Sequence, residues 1–213
     1  MNVFILSTGR CGSVTFIKAC KHITNYSCSH ESRCTKLGES RVDYPVDHIE
    51  ADNRLSWFLG RLDEKYGNNA LYIHLKRNDL QTARSYAEKE RYHGGIMKAY
   101  RGMGILLEIP EDTDPMSIAI DYCDTVNSNI NLFLKDKTNK MIVNLENIDQ
   151  DFRVFWELIK AKGDMEAALS EFKVNYNATK EVVNKNKKDY AVVKVLKKLK
   201  RILFKLPVFI KDA

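Results

Sequence analysis

The sequence predicts an α/β fold: a parallel β-sheet with helices packed on both of its faces. Three observations carry that expectation. Short apolar runs recur along the chain at Val3–Leu6, Ala70–Leu75 and Met141–Leu145. Their near-continuous apolar character suits parallel strands covered on both sides. Between them apolar residues return at helical spacing, so strands and helices alternate, as they do when parallel neighbours are joined by crossover helices. Finally, 213 residues at 44% apolar content suffice for one domain with a proper core.

The first strand, Val3–Leu6, runs into the small, glycine-punctuated stretch Ser7-Thr8-Gly9-Arg10-Cys11-Gly12-Ser13, and a helix is expected from Val14 to His22. Strand, glycine-rich turn and helix in that order make an anion site, because backbone N–H groups and the helix N-terminus converge on one spot. Arg10 adds a guanidinium fork and Ser13 a hydroxyl, so the loop is expected to grip a phosphate. Tyr26–Ser29 reads as a second strand leading into His30-Glu31-Ser32-Arg33. Val46–Ile49 reads as a third, ending in Glu50-Ala51-Asp52-Asn53. Leu55, Phe58, Leu59 and Leu62 mark a helix stopped by Gly67, and their stripe is core packing.

The strand Ala70–Leu75 carries His74 into a buried face, where a hydrogen-bonded core histidine is expected. It runs into Lys76-Arg77-Asn78-Asp79 and a helix from Leu80 to Arg91. Tyr92–Pro115 holds Gly94, Gly95, Gly102, Gly104 and Pro110 and reads as a long loop or lid containing some helix. A helix at Met116–Leu134, a strand at Met141–Leu145 and helices at Phe152–Ala161 and Met165–Phe172 complete the domain.

Composition narrows the class. No window reaches the ~20 apolar residues of a membrane span, and no basic region precedes Val3–Leu6, which reads as a strand and not a signal peptide. The five cysteines, Cys11, Cys20, Cys28, Cys34 and Cys123, form no CxxC pair, and His22 and His30 complete no zinc spacing. Reduced thiols in a cytoplasmic protein without a metal are expected. Charge is uneven: from Lys180 to the end there are eleven Lys/Arg against three Asp/Glu, a net +8, so residues 1–179 carry −2 of the chain's +6. We therefore divide the chain into an α/β domain, residues 1–180, and a basic tail, residues 181–213. In the tail, Val192, Val193, Leu196, Leu199, Leu203 and Leu206 alternate with lysines as a basic amphipathic helix. Such a helix can pack on the domain or make peripheral contact with an anionic membrane.

The motifs sharpen the phosphate reading. The first loop lacks the Gly-Lys-Ser/Thr of an NTPase P-loop and the dinucleotide GxGxxG. It is not a phosphatase loop either, since Ile17 stands six positions after Cys11 where an Arg would be needed. A second anion signal follows the strand Ala70–Leu75. Arg77 leaves the strand end and Ser85 lies just over two helical turns later, so both can reach one phosphate edge. Two separated phosphate grips imply a ligand with two separated phosphates.

Taken together, STGRCGSVT, HLKRNDLQTARSY and IVNLENI resemble the three ordered landmarks of the sulfotransferase family, over roughly residues 1–172. The resemblance implies a three-layer, P-loop nucleotide-kinase-like fold, extended here by the basic C-terminal helix. It also implies an enzyme that moves a sulfuryl group from 3′-phosphoadenosine 5′-phosphosulfate (PAPS) to a hydroxyl, with an amine as second choice, releasing 3′,5′-adenosine bisphosphate (PAP) without a metal. By position, the loop Thr8, Gly9, Arg10, Cys11, Gly12, Ser13, Val14 and Thr15 would hold the 5′ end, and Arg77 with Ser85 the 3′-phosphate. Val14 departs from the family, which often has a second hydroxyl there; Thr15 would take over that contact.

Arg10 would also neutralise the leaving group. For the base, Glu31 matches the placement of the Glu base in the tyrosylprotein and trehalose branches, and its plain alternative is an ion pair with Arg33. His30 would point to the opposite face of an extended segment, and His48, Glu50 and Asp52 at the next strand end can bind the acceptor or replace Glu31. The acceptor is a small molecule, carbohydrate or peptide, and no nucleic acid is expected. Two rival readings remain from the sequence: an ATP-dependent P-loop phosphotransferase, and a non-enzymatic membrane- or nucleic-acid-associated module led by the tail.

Overall fold

A computed structural model describes residues 1–89, 95–107 and 109–174. The expected tail helix, the tail domain 181–213, the segment Asn175–Lys180 and Tyr92–Gly94 of the expected lid lie outside the described residues. Among the described residues five short strands, β1 (Val3–Leu6), β2 (Ser27–His30), β3 (His48–Ala51), β4 (Leu71–Lys76) and β5 (Lys140–Asn144), form one sheet in the order β2-β3-β1-β4-β5. Every pairing is parallel, as the alternation of strands and helices predicts. The register sets Leu6 against His74, His30 against Ala51, and Lys76 against Asn144. The C-terminal ends of all five strands therefore open onto one rim.

Strand alternation sorts the core into two layers. On one face Val3, Ile5, Ile49, Leu71, Ile73 and Val143 meet α1 (Ser13–Cys20), α6 (Ile148–Leu158) and α7 (Met165–Ser170). Phe16, Phe152 and Phe155 pack there with ring centroids 5.1–5.6 Å apart. On the other face Phe4, Leu6 and Tyr72 meet α2 (Leu59–Tyr66), α3 (Asp79–Lys89) and α5 (Pro115–Leu134). Asp114 caps α5 by accepting from the Met116 and Ser117 N–H groups, with Pro115 at the first helical position, where its missing donor is not needed. Between α3 and α5 the expected lid holds a short helix, α4 (Ile96–Ala99), and an irregular turn, Tyr100–Gly104.

The third strand departs from its expected place. It runs from His48 to Ala51, two residues beyond the apolar run that suggested Val46–Ile49, and Val46 is 82% exposed. Partners explain the shift. Glu50 is fully buried and accepts from the Ser32 N–H (2.8 Å), the Ser32 hydroxyl (2.6 Å) and His48 Nε2 (3.0 Å). Asp52 is buried against Arg41 at 2.7 Å and caps the Arg54 N–H at 2.8 Å. A carboxylate satisfied like Glu50 can lie inside a sheet, with Asp52 just past its end; a hydropathy pattern marks the strand's end before both. The first helix after β3 likewise begins as a 3-10 turn, Asn53–Trp57, before α2. All five cysteines are free thiols. Among the described residues no helix is long and apolar enough to cross a membrane.

Candidate functional site

The loop from Ser7 to Gly12 joins β1 to α1 at the middle of the rim. Three of its residues have left-handed backbone: Gly9 (φ 81°), Arg10 (φ 61°) and Gly12 (φ 86°). Gly9 and Gly12 are required for space as well. A Cβ on Gly9 would lie 2.5 Å from the Tyr86 hydroxyl, and one on Gly12 would lie 2.9 Å from Leu145 Cδ1. The first backbone bond of α1 runs from Phe16 N–H to the Gly12 carbonyl at 2.9 Å. The N–H groups of Ser13, Val14 and Thr15 thus precede the helix's own ladder at its positive end. Their side chains are half-buried at the same turn.

The second grip converges on the first. Arg10 Nε donates to Ser85 Oγ at 3.0 Å, and Arg77 Nη1 donates to the Arg10 carbonyl at 3.3 Å. Arg77 is steadied by Gln81, whose Oε1 accepts from Nε at 3.3 Å and Nη2 at 3.2 Å. It makes no ion pair with Asp79, which accepts instead from Asn127 at 3.1 Å. Arg10, Arg77 and Ser85, 75 residues apart at the extremes, therefore form one cluster, in direct contact where the sequence suggested two separated grips. Glu146, in the 3-10 turn after β5, ties the rim across by accepting the Asn78 N–H at 2.7 Å. Cys11 is fully buried, and burial pushes its thiol up, against the lowering effect of hydrogen bonding with Ser7. It is a packing residue of the loop and not a thiolate.

The three expected bases separate. His30, the last residue of β2, meets the loop: its Nε2 lies 3.1 Å from Ser13 Oγ. Glu31 follows in left-handed backbone (φ 51°) and pairs with Arg54 Nη1 at 3.0 Å, rather than with Arg33. His48 stands at the start of β3, three residues from the rim. It is buried between Ser27 Oγ (2.8 Å) and Glu50 (3.0 Å), with its ring stacked on Tyr44. The structure therefore corrects the expectation that His48 ends its strand, because β3 starts where the apolar pattern had it stop. His74 is buried as expected, and its Nε2 bonds Asn127 Oδ1 at 3.1 Å, while Nδ1 has no partner. Burial holds its pKa below the usual histidine range.

Sequence reasoning missed the groups that shape the loop from below. Tyr86, directly after Ser85, and Tyr122 both donate to the Thr8 carbonyl, at 2.6 and 2.8 Å. Leu145 covers Gly12. The place of Tyr86 and Leu145 inside two of the quoted landmarks was the available signal. Among the described residues no group of three His, Cys, Asp or Glu is arranged to hold a metal.

No family model and no curated protein matches the sequence. Among solved structures, the fold is similar to the sulfotransferase domain from the curacin biosynthetic pathway. The TM-score is 0.56 over 81% of this chain and 78% of that one, at 15% identity. The structure of mouse sulfotransferase SULT7A1 complexed with PAP matches 85% of this chain and 70% of its own, with a TM-score of 0.49 and 13% identity. The resemblance carried by three short motifs thus extends to the architecture, and the chain has the α/β fold of the sulfotransferases.

Proposed function

We propose that this chain is a sulfotransferase that takes a sulfuryl group from PAPS to a hydroxyl, with an amine as the second choice of acceptor. The observation that carries the reading is the convergence of the two anion grips. The glycine-rich loop and the Arg77–Ser85 pair touch through hydrogen bonds of 3.0 and 3.3 Å on the rim of a sulfotransferase-type fold. Two guanidinium groups, two hydroxyls and the free donors of a helix start suit a ligand with two phosphates. The donor supplies the sulfuryl group, and PAP is what remains.

In this reading Arg10, Gly12, Ser13 and the α1 N-terminus bind the 5′ end, with Arg10 balancing charge on the departing phosphate. Removing such a preorganised charge typically lowers the rate by ~10²–10³. Arg77 and Ser85 bind the 3′-phosphate. For proton removal from the acceptor, geometry favours His30, which contacts the loop, over Glu31, which is committed to Arg54. The acceptor would be a small molecule, carbohydrate or peptide, and the expected compartment is the cytoplasm.

Thermal denaturation separates this from ATP chemistry. A ligand present at about 100 times its Kd adds about 2.7 kcal/mol, which is a melting rise of roughly 5–10 °C for a domain of this size. PAP is expected to produce that rise and Mg-ATP is not. The reverse order would replace sulfuryl transfer with phosphoryl transfer.

A further inference from the structure

Three successive carbonyl groups of the loop are tied back by hydrogen bonds. The Thr8 carbonyl accepts from Tyr86 and Tyr122 at 2.6 and 2.8 Å, the Gly9 carbonyl from Thr8 Oγ1 at 2.9 Å, and the Arg10 carbonyl from Arg77 Nη1 at 3.3 Å. The first of these differs in kind, since both of its donors are buried phenols from separate helices: Tyr86, on α3, is 7% exposed and Tyr122, on α5, is fully buried. Two donors use both lone pairs of one carbonyl oxygen. Because a peptide group is planar, fixing the Thr8 carbonyl also fixes the direction of the Gly9 N–H, which donates to Ser7 Oγ at 3.2 Å. A carbonyl oxygen swung outward would instead present negative charge to an anion.

We propose that Tyr86 and Tyr122 are positioning residues of the anion loop: together they hold the Thr8 carbonyl inside, so that this stretch of the loop turns no carbonyl oxygen toward an anion. The inference rests on reading the loop as an anion site. The surroundings make the clamp stiff. The two rings meet edge to face at 5.2 Å, and Tyr122 meets Tyr100 in the same way at 5.2 Å. Tyr100 is in turn held by Asp121 Oδ2 at 2.5 Å. Gly9 passes so close to the Tyr86 hydroxyl that no side chain fits between them. Burial pushes both phenols well up, so each stays an O–H donor through neutral and alkaline buffers.

The test compares Tyr86→Phe, Tyr122→Phe and the double variant, all of which keep the rings. Each single variant leaves one donor on the carbonyl, and PAP affinity is expected to stay within about threefold. The double variant leaves a buried carbonyl unsatisfied, and PAP binding by calorimetry is expected to weaken by about tenfold or more. In the ligand-free protein the Gly9 and Gly12 amide resonances should shift and exchange faster. Phe155→Leu, in the other core layer, is the control for general destabilisation and should leave affinity unchanged. A double variant that melts earlier while PAP affinity and both glycine amides stay put would reduce the tyrosines to packing and overturn the proposal. If the wild-type chain binds no PAP while the amides still move, the clamp stands and the ligand assignment falls.

Discussion

Substituting Gly12 by alanine isolates the pivot on which the loop turns into α1. Two penalties combine at this position. The backbone sits at φ 86°, in the region where an L side chain costs about 1–2 kcal/mol. The added Cβ also lies 2.9 Å from Leu145 Cδ1, but that atom is the end of a flexible, half-buried side chain and can move aside cheaply. The backbone penalty should dominate, giving a loss of about 1–2 kcal/mol and a melting decrease of roughly 2–8 °C. Relaxing φ toward negative values would turn the N–H groups of Ser13 to Thr15 away from their common target. PAP affinity should therefore fall more steeply than stability, by about tenfold or more. The double variant Gly12→Ala/Leu145→Ala removes the contact and leaves the backbone conflict, so it should not restore binding. Calorimetry and thermal melts on the two variants check this. Restoration by Leu145→Ala would mean that space and not backbone sets the position, and unchanged binding in Gly12→Ala would refute the pivot.

Other variants divide the remaining roles. His30→Gln should lower turnover by ~10²–10⁴ with little change in PAP affinity, whereas Glu31→Gln and His48→Gln should not reach that loss; the opposite ranking in a sulfuryl-transfer assay would return the base to Glu31. Arg77→Met should weaken PAP by about 10- to 100-fold through loss of a charge-assisted bond, with AMP affected far less, as equilibrium titrations can determine. Arg41→Met strips the buried Asp52 carboxylate of its partner and should destabilise the protein by about 3–5 kcal/mol at pH 7. Burial already pushes the Asp52 pKa up, with Arg41 opposing it. The folded state therefore holds that proton more tightly than the unfolded chain, and stability is regained as pH falls. Denaturant melts of Arg41→Met should show a smaller deficit at pH 4.5 than at pH 7, and an equal deficit at both would exclude a charged Asp52 as the cause.

Where apolar pattern and position agree, the sequence was a sufficient guide. Val3–Leu6, the loop and the Arg77–Ser85 spacing all lie where local chemistry suggests, because β1 and β4 are central strands that must be apolar on both faces. The third strand lies further along because Glu50 is buried within it, satisfied by His48 two residues away and by Ser32 from beyond β2. Asp52 just past its end is held by Arg41, and neither Ser32 nor Arg41 is marked by the local pattern. His30 and Glu31 part at the strand end, where Glu31 turns into left-handed backbone, and not through the alternation of an extended segment. Choosing which of them faces the loop required knowing that α1 covers the face to which His30 points. The tyrosine clamp was illegible for a similar reason: Tyr86 and Tyr122 reach Thr8 only once α3 and α5 pack together, across sequence separations of 78 and 114 residues.

In the proposed reading the first loop and the Arg77–Ser85 pair serve one ligand with two phosphates. Calorimetric titration of the full chain with PAP, run beside AMP, addresses it most directly. PAP should bind saturably, with AMP at least about tenfold weaker because it lacks the 3′-phosphate that Arg77 and Ser85 would hold. Equal affinity for PAP and AMP, or no heat with either, would contradict it.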